Sequence, residues 1–193
     1  MRLTTNNIKE YNQILVNEFA IYPEATQGTP TALAYTLLGL IGEVQEITTE
    51  KHIESTAVNE NQETTLEKEY GDVLWYLTRM YAELNGENVD TLDDVLIYNE
   101  LVSFKQNRKH LESFETQRRF GEMSNIVKKY LRKDKAEKNN ELSMHLLNIA
   151  HIVKNDIYED TGISDITILL EQNVEKLRGR VKNKTIQGDG DNR

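Results

Sequence analysis

Two pairs of carboxylates are set within apolar helical patterns in the first half of this chain. Glu43 and Glu46 are three residues apart, as are Glu69 and Asp72, so each pair lies on one face of a helix. Other acidic pairs share this spacing, and most of them must belong to solvated faces. These two pairs differ because they border apolar stripes, where a carboxylate is costly unless it is paired or metal-bound.

An antiparallel helical hairpin would bring the two pairs together. The apolar spacing predicts helices over about 32–53 and about 66–84, joined by a polar loop at 54–64. Glu46 lies about seven residues before this loop and Glu69 about five after it, so the pairs reach similar heights at a rise of about 1.5 Å per residue. Gly39, one turn before Glu43, is expected to leave empty space beneath the first pair.

Four converging carboxylates without histidine or cysteine form an all-oxygen ligand set. Such a set suits Mg²⁺ or Mn²⁺. The alternative is that basic residues neutralise these acids in ordinary ion pairs, and the candidates are Lys51, Lys68 and Arg79. The two interpretations differ in whether a cation or a basic side chain balances the charge.

The rest of the chain also favours helices. Only 2 prolines and 10 glycines occur, and few runs are rich in β-branched residues. The apolar spacing predicts five further helices, over about 6–22, 92–104, 113–131, 141–158 and 165–181. The predicted N-terminal caps are Thr31, Asp90 or Thr91, and Ser164. Gly86 and Gly162 are predicted to end the helices before them, and the Gly-rich tail at 187–193 is expected to be mobile.

The composition excludes several kinds of site and partner. The chain has no cysteine, which excludes disulfides, a thiol nucleophile and a Cys-ligated zinc site. Its net charge of −9 is opposite in sign to that of a typical nucleic-acid binder. The first residues do not resemble a signal peptide, and no apolar run approaches the roughly 20 residues that span a bilayer. We therefore expect a cytoplasmic protein without a membrane or nucleic-acid partner. The four histidines show no metal-ligand spacing: His52, His110, His145 and His151.

The two halves of the chain, about 1–104 and about 105–193, share a helical plan and faint sequence similarity. Residues 42–47 resemble 121–126, and residues 89–99 resemble 163–173. The second half has Asn125 where Glu46 falls and Met144 where Asp72 falls, so it cannot form a second four-carboxylate site. We expect a single all-α domain over 1–193, a helical bundle of two tandem halves with the second half degenerate. The alternative is two unrelated helical hairpins with a common rhythm.

The carboxylate blocks resemble the MazG-like family, which belongs to the all-α nucleoside triphosphate pyrophosphohydrolases. The signature of that family is an E-x-x-E helix, a loop and an E-x-x-D helix with the run G-D-V-L-W-Y, and residues 38–46 and 68–77 resemble it. The run from Asn173 to Arg180 and the Gly-Asp-rich ending are similar to the N-x-x-K-L-x-x-R ending of phage versions. Together these blocks cover about a sixth of the chain.

The resemblance implies a Mg²⁺-dependent hydrolase, with Mn²⁺ as a substitute, that converts an NTP or dNTP to the monophosphate and pyrophosphate. Water would attack the α-phosphorus, assisted by two ions about 3.5–4 Å apart. The implied metal ligands are Glu43, Glu46, Glu69 and Asp72. Glu46 is also expected to orient the attacking water. The expected phosphate contacts are Asn173, Lys176, Arg180 and Lys51.

The chain departs from the family pattern in how its halves divide these residues. The first half has the acids without a Lys-Leu element, whereas the second has Lys176 and Arg180 without the acids. One complete site would therefore need both halves of a chain, and the related dimeric dUTPases also hold two family-like halves in one chain. The alternative to an enzyme is a catalytically silent nucleotide sensor or a helical interaction protein. The preferred base and sugar, and homo-oligomerisation, stay open.

Overall fold

The protein is all-α in the part of the chain that the structure describes. The computed structural model describes residues 5–19, 27–54, 63–98, 110–133 and 140–183. These residues form α1 (Ile8–Glu18), α2 (Pro30–Glu54), α3 (Glu63–Asn85), α4 (Asp90–Asp93), a π-helical segment (Asp94–Tyr98), α5 (Phe114–Lys133), α6 (Asn140–Thr161) and α7 (Thr167–Asn183). They contain no strand, which confirms the predicted fold class. None of these helices is long and apolar enough to cross a membrane.

The helix bounds agree with the predicted ones to within four residues, except after α4. There the predicted helix over 92–104 is a single α-helical turn that continues into the π-helical segment. Four predictions lie partly or wholly outside the described residues. They are the end of the first helix at 20–22, the loop at 54–64, the chain beyond residue 98 in the fourth helix, and the tail at 187–193.

The starts of α2 and α7 differ from the predicted caps by one or two residues. α2 begins at Pro30, which has no N–H to satisfy. The Thr29 hydroxyl accepts from the backbone N–H three residues later at 3.3 Å, so Thr31 lies inside the helix. At α7 the carboxylate of Asp165, rather than Ser164, accepts from the N–H two residues later at 3.1 Å.

The ends of α3 and α6 follow the prediction, whereas the start of α4 does not. Gly86 and Gly162 have φ angles of +62° and +72°. This left-handed conformation favours glycine and ends a helix. α4 begins at Asp90 itself, with Val89 before it and no side-chain cap, so the predicted cap is wrong there.

α3 is the central helix of the bundle. It packs along α2 and also contacts α1, α6 and α7, while α5 packs against α2 and α6. Its apolar stripe is completely buried at Val73, Leu77 and Met80. These residues belong to one hydrophobic core to which every helix from α1 to α7 contributes. The tandem origin of the two hairpins, α2–α3 and α5–α6, stays a prediction.

A buried polar network holds α1 against α3. The Arg79 side chain is completely buried. It donates to Asn12 at 2.5 Å, to Glu83 at 2.8 Å and to Glu87 at 2.9 Å. A buried guanidinium needs such partners, because burial of an unpaired charge costs several kcal/mol. The network therefore ties together the middle of α1 and the last turns of α3.

Gly39 lets Tyr76 of α3 pack directly on the backbone of α2. A Cβ atom at residue 39 would lie 2.0–2.5 Å from three atoms of the Tyr76 ring. The expectation of empty space at Gly39 is therefore wrong, because this ring fills it. The ring also contacts Tyr35 and Trp75, with centroid separations of 6.2 Å and 4.6 Å. Close packing at this point holds the acidic segments of α2 and α3 in register.

We expect Gly39→Ala to lower the free energy of unfolding by about 1–3 kcal/mol. Overlap with the Tyr76 ring should outweigh the helix propensity that alanine adds. Urea denaturation measures the change. Gly42→Ala is the matched control on the same helix, because a Cβ atom there meets nothing within 4 Å and alanine should stabilise by up to about 1 kcal/mol. Equal effects of the two changes would contradict the packing of Tyr76 on residue 39.

Candidate metal centre

Three of the four predicted carboxylates meet between α2 and α3. Glu43, Glu69 and Asp72 each place a carboxylate oxygen within 4.8 Å of the other two. We call these three residues the carboxylate cluster. Glu69 is buried, and Glu43 and Asp72 are half-buried. The acids thus lie at the edge of the core, where their positions beside the apolar stripes predicted them.

Glu46 lies at the rim of the carboxylate cluster. Its side chain is exposed, one turn beyond Glu43 on α2, and it is not among the three groups that converge. Its negative charge still helps to raise the pKa of Glu43. In the described residues, the predicted four-carboxylate site therefore consists of three converging groups and a fourth beside them.

The carboxylate cluster holds more negative charge than its surroundings offset. Burial, followed by the charges of the neighbouring acids, raises the pKa of Glu43 to about 8, although Lys176 opposes the shift. A glutamate with this pKa keeps its proton at neutral pH unless a further cation joins the cluster. The site is therefore one whose charge a divalent cation would balance.

Helix α7 closes the cluster on the side of Asp72. The Lys176 ammonium forms an ion pair with Oδ2 of Asp72, and the Asn173 amide donates to Oδ1 from 2.8 Å. Arg180 is half-buried, one turn beyond Lys176. The fold thus brings Lys176 and Asn173, from the second half of the chain, to the acids of the first half.

A groove between α3 and α7 borders the carboxylate cluster. Its cavity has a volume of about 280 Å³. The lining residues come from both helices: Glu67, Lys68, Gly71, Leu169, Gln172, Asn173 and Lys176. A ligand in this groove would lie beside the lysine that also reaches Asp72.

Lys51 does not take the predicted position beside the phosphate-binding residues. Its ammonium lies 2.5 Å from Asp160 and 3.9 Å from Asp156, both on α6. The reason is tertiary, because packing of the first half against α6 brings buried Asp156 and half-buried Asp160 to the last turns of α2. Lys51 therefore balances a different group of carboxylates.

The residues predicted as possible ion-pair partners of the four acids are Lys51, Lys68 and Arg79. The structure places a different basic residue beside these acids. Arg79 is paired with acids at the end of α3, and Lys68 is exposed at the groove. Lys176 forms an ion pair with the cluster through Asp72. It lowers the pKa of Glu43 but does not cancel the effects of burial and of the neighbouring acids.

A second group of potential ligands surrounds Asp156. His110, Asp156 and Glu159 place ligand atoms within 4.8 Å of one another. Asp156 is almost completely buried, and its two oxygens accept from His110 Nδ1 and from the Leu111 N–H, each at 2.9 Å. Burial raises the pKa of Asp156. With both oxygens satisfied and Lys51 alongside, this group anchors the start of α5 to α6.

We compared the sequence and the structure with known proteins. No family model, curated protein or solved structure matches this chain. The resemblance to the MazG-like family therefore stays an interpretation of the motifs. The chemistry is inferred from the converging acids, from the charge excess at Glu43 and from the basic helix that faces them.

We expect cation affinity to depend on pH through Glu43. Because its pKa is raised in the folded, metal-free protein, a cation that binds below pH 8 displaces a proton. The dissociation constant for Mn²⁺ should therefore fall by up to about tenfold per pH unit between pH 6 and 8, and then level off. Calorimetric titration measures this slope. Glu43→Gln should flatten it, and an unchanged slope would assign the proton to another group.

The same shift predicts how the metal-free protein responds to pH. The folded state keeps a proton on Glu43 that the unfolded chain loses above its ordinary pKa of 4.5. Stability from this group is therefore fully present below pH 4.5 and is lost as pH rises toward 8. Added Mg²⁺ should oppose this loss, because it binds the deprotonated folded state.

Proposed function

We propose that this protein is a Mg²⁺-dependent nucleoside triphosphate pyrophosphohydrolase, which releases a monophosphate and pyrophosphate. The observation that carries the proposal is the convergence of Glu43, Glu69 and Asp72 within 4.8 Å, faced by Lys176. The motif resemblance adds the reaction type.

The residues present fit a hard divalent cation. All ligand atoms of the cluster are carboxylate oxygens, which Mg²⁺ and Mn²⁺ prefer. Glu69 is buried, and burial followed by the charges of the neighbouring acids raises the pKa of Glu43, so a divalent cation would stabilise the ionised cluster. When bound, Mg²⁺ would polarise phosphate oxygens and lower the pKa of an attacking water.

Helix α7 supplies the groups that would bind phosphate. Lys176 lies at the groove and at Asp72, so it could exchange the carboxylate for a phosphate oxygen when substrate enters. Arg180 follows one turn later on the same helix. Charge-assisted contacts from these two side chains would stabilise the negative charge that develops on the departing pyrophosphate. A chain of net charge −9 needs such local cations to accept a triphosphate.

We assign Glu46 a different role from that of its neighbours. It is exposed at the rim, beside Glu43. A carboxylate in this position can orient a water molecule that approaches from solvent and accept its proton. We therefore keep Glu46 as the residue that activates water, and we assign cation binding to the carboxylate cluster.

A panel of NTPs and dNTPs with Mg²⁺ tests this proposal, with pyrophosphate and orthophosphate scored separately. Pyrophosphate release from at least one nucleotide is expected, together with loss of turnover on chelation by EDTA. Release of orthophosphate alone would overturn the proposed reaction. The same panel identifies the base and sugar that the site accepts.

The ion pair between Lys176 and Asp72 favours a second candidate, a nucleotide sensor without turnover. In this case the lysine would stay paired with Asp72, Glu43 would keep its proton, and no metal ion would be needed. Nucleotide binding in EDTA without hydrolysis in Mg²⁺ would support the sensor. Binding that requires Mg²⁺ would support the enzyme.

A further inference from the structure

A chain of buried hydrogen bonds reaches Asp72 from two other helices. The Tyr11 hydroxyl on α1 donates to Oδ1 of Asn173 on α7 at 2.7 Å, and the Asn173 amide donates to Oδ1 of Asp72 on α3 at 2.8 Å. Tyr11 is completely buried, and Asn173 is 3 % exposed. Water therefore does not compete readily with these bonds.

The order of donors in this chain fixes the orientation of the amide. The carboxylate of Asp72 can only accept when it is ionised, so Asn173 must present its NH₂ group to it. The amide oxygen then faces Tyr11, and this hydroxyl is the donor that satisfies it. Burial and the charge of Asp72 raise the pKa of Tyr11, so the hydroxyl keeps its proton. A reversed amide would place its oxygen against the carboxylate of Asp72, two acceptors with no proton between them.

The chain of hydrogen bonds also distinguishes the two oxygens of Asp72. Oδ1 is held by Asn173, whereas Oδ2 is paired with Lys176, a side chain that can move away at the groove. Oδ2 is therefore the oxygen that becomes available when Lys176 moves. A side chain held at one oxygen presents the other in a defined direction.

We propose that Tyr11 and Asn173 are positioning residues that orient Asp72 for cation binding. This inference rests on the proposed metal-dependent function. It changes the role of Asn173, which the sequence analysis placed at the phosphates, to that of a buried support for a ligand. Such supports typically change metal affinity by about 10–100-fold when they are removed.

The test compares Tyr11→Phe with Tyr70→Phe in the full-length protein. Tyr70 is the matched control, because it is also completely buried and its hydroxyl donates to a different carboxylate, that of Asp160. Mn²⁺ alone is titrated by calorimetry or electron paramagnetic resonance, without nucleotide. Tyr11→Phe should weaken Mn²⁺ binding by about 10–100-fold, and Tyr70→Phe should leave it unchanged.

A double-mutant cycle separates positioning from general loss of stability. Tyr11→Phe should have little further effect on Mn²⁺ affinity in an Asn173→Ala background, because the chain is already broken. Additive effects would overturn the inference. Circular dichroism confirms that each variant is folded. If Tyr11→Phe does not fold, Asn173→Ala is compared with Asn125→Ala, which changes an exposed asparagine on α5. Equal affinities would then overturn the inference.

The outcomes for the two proposals are distinguishable. No saturable Mn²⁺ binding by the unaltered protein would remove the metal-dependent function itself. Saturable binding that Tyr11→Phe leaves unchanged would overturn the positioning role of Tyr11 and leave that function standing.

Discussion

Glu43→Gln is expected to lower kcat for pyrophosphate release by about a thousandfold or more. Loss of a ligand to the catalytic cation removes several kcal/mol of transition-state stabilisation, and each 1.36 kcal/mol is about tenfold in rate. The fold should survive, because glutamine matches the shape and charge of the protonated glutamate that this site favours near neutral pH. Above pH 8 the variant should be more stable than the unaltered protein when metal is absent. The glutamine cannot ionise, so no negative charge forms beside the other acids of the site. Pyrophosphate release and thermal unfolding measure the two effects.

Glu171→Gln is the control for this substitution. Glu171 is exposed on α7, so the same chemical change there should leave kcat within about twofold and stability within about 0.5 kcal/mol. Comparable losses from both changes would show that the cluster has been misassigned. Glu46→Gln should also abolish turnover but retain most of the Mn²⁺ affinity of the protein. This result would separate the water-activating residue from the cation ligands.

A fragment of residues 1–104 is expected to lack activity and to aggregate. It contains the whole carboxylate cluster, but α3 would lose its contacts with α6 and α7, and α2 would lose α5. The apolar faces exposed in this way favour association with other molecules. Asp72 would also lose both Lys176 and Asn173. Size-exclusion chromatography, circular dichroism and pyrophosphate release measure the outcome.

Co-expression with residues 105–193 is the control for truncation. Restored solubility and activity would show that the fragment fails because it lacks the second half. They would also show that a break between residues 104 and 105 does not by itself abolish activity. A soluble fragment 1–104 with full activity would refute the need for both halves. In that case the contacts of α7 at Asp72 would have no part in catalysis.

Much of the fold could be predicted because helices are local structures. The spacing of apolar residues over a few turns identifies the buried faces of α2 and α3. Gly86 and Gly162 end helices because glycine readily adopts a positive φ angle. The meeting of the two acidic pairs could be predicted for a similar reason. The pairs lie at similar distances from the predicted loop at 54–64, so the helical rise brings them to similar heights. Only the structure shows that Glu43, rather than Glu46, converges with Glu69 and Asp72.

The positions of long side chains could not be predicted in this way. Lys51 follows the acidic segment of α2, and Lys176 lies in the basic run of α7. In the structure Lys51 pairs with Asp160, whereas Lys176 pairs with Asp72. The choice depends on which helices pack against α2 and α3, and on which acids those helices bury. Gly39 shows the same limit, because only the packed hairpin reveals that Tyr76 occupies its space.

The sequence by itself determined the all-α class, the helical hairpin and the acids that meet within it, since each follows from a period or a spacing along a short stretch of chain. Only the tertiary structure decided which residues complete the site. Tyr11 and Asn173 are 162 residues apart, and Asn173 and Asp72 are 101 apart, so no local pattern links them. Their hydrogen bonds exist because burial removes water from polar groups, and each group must then find a partner within the packed core.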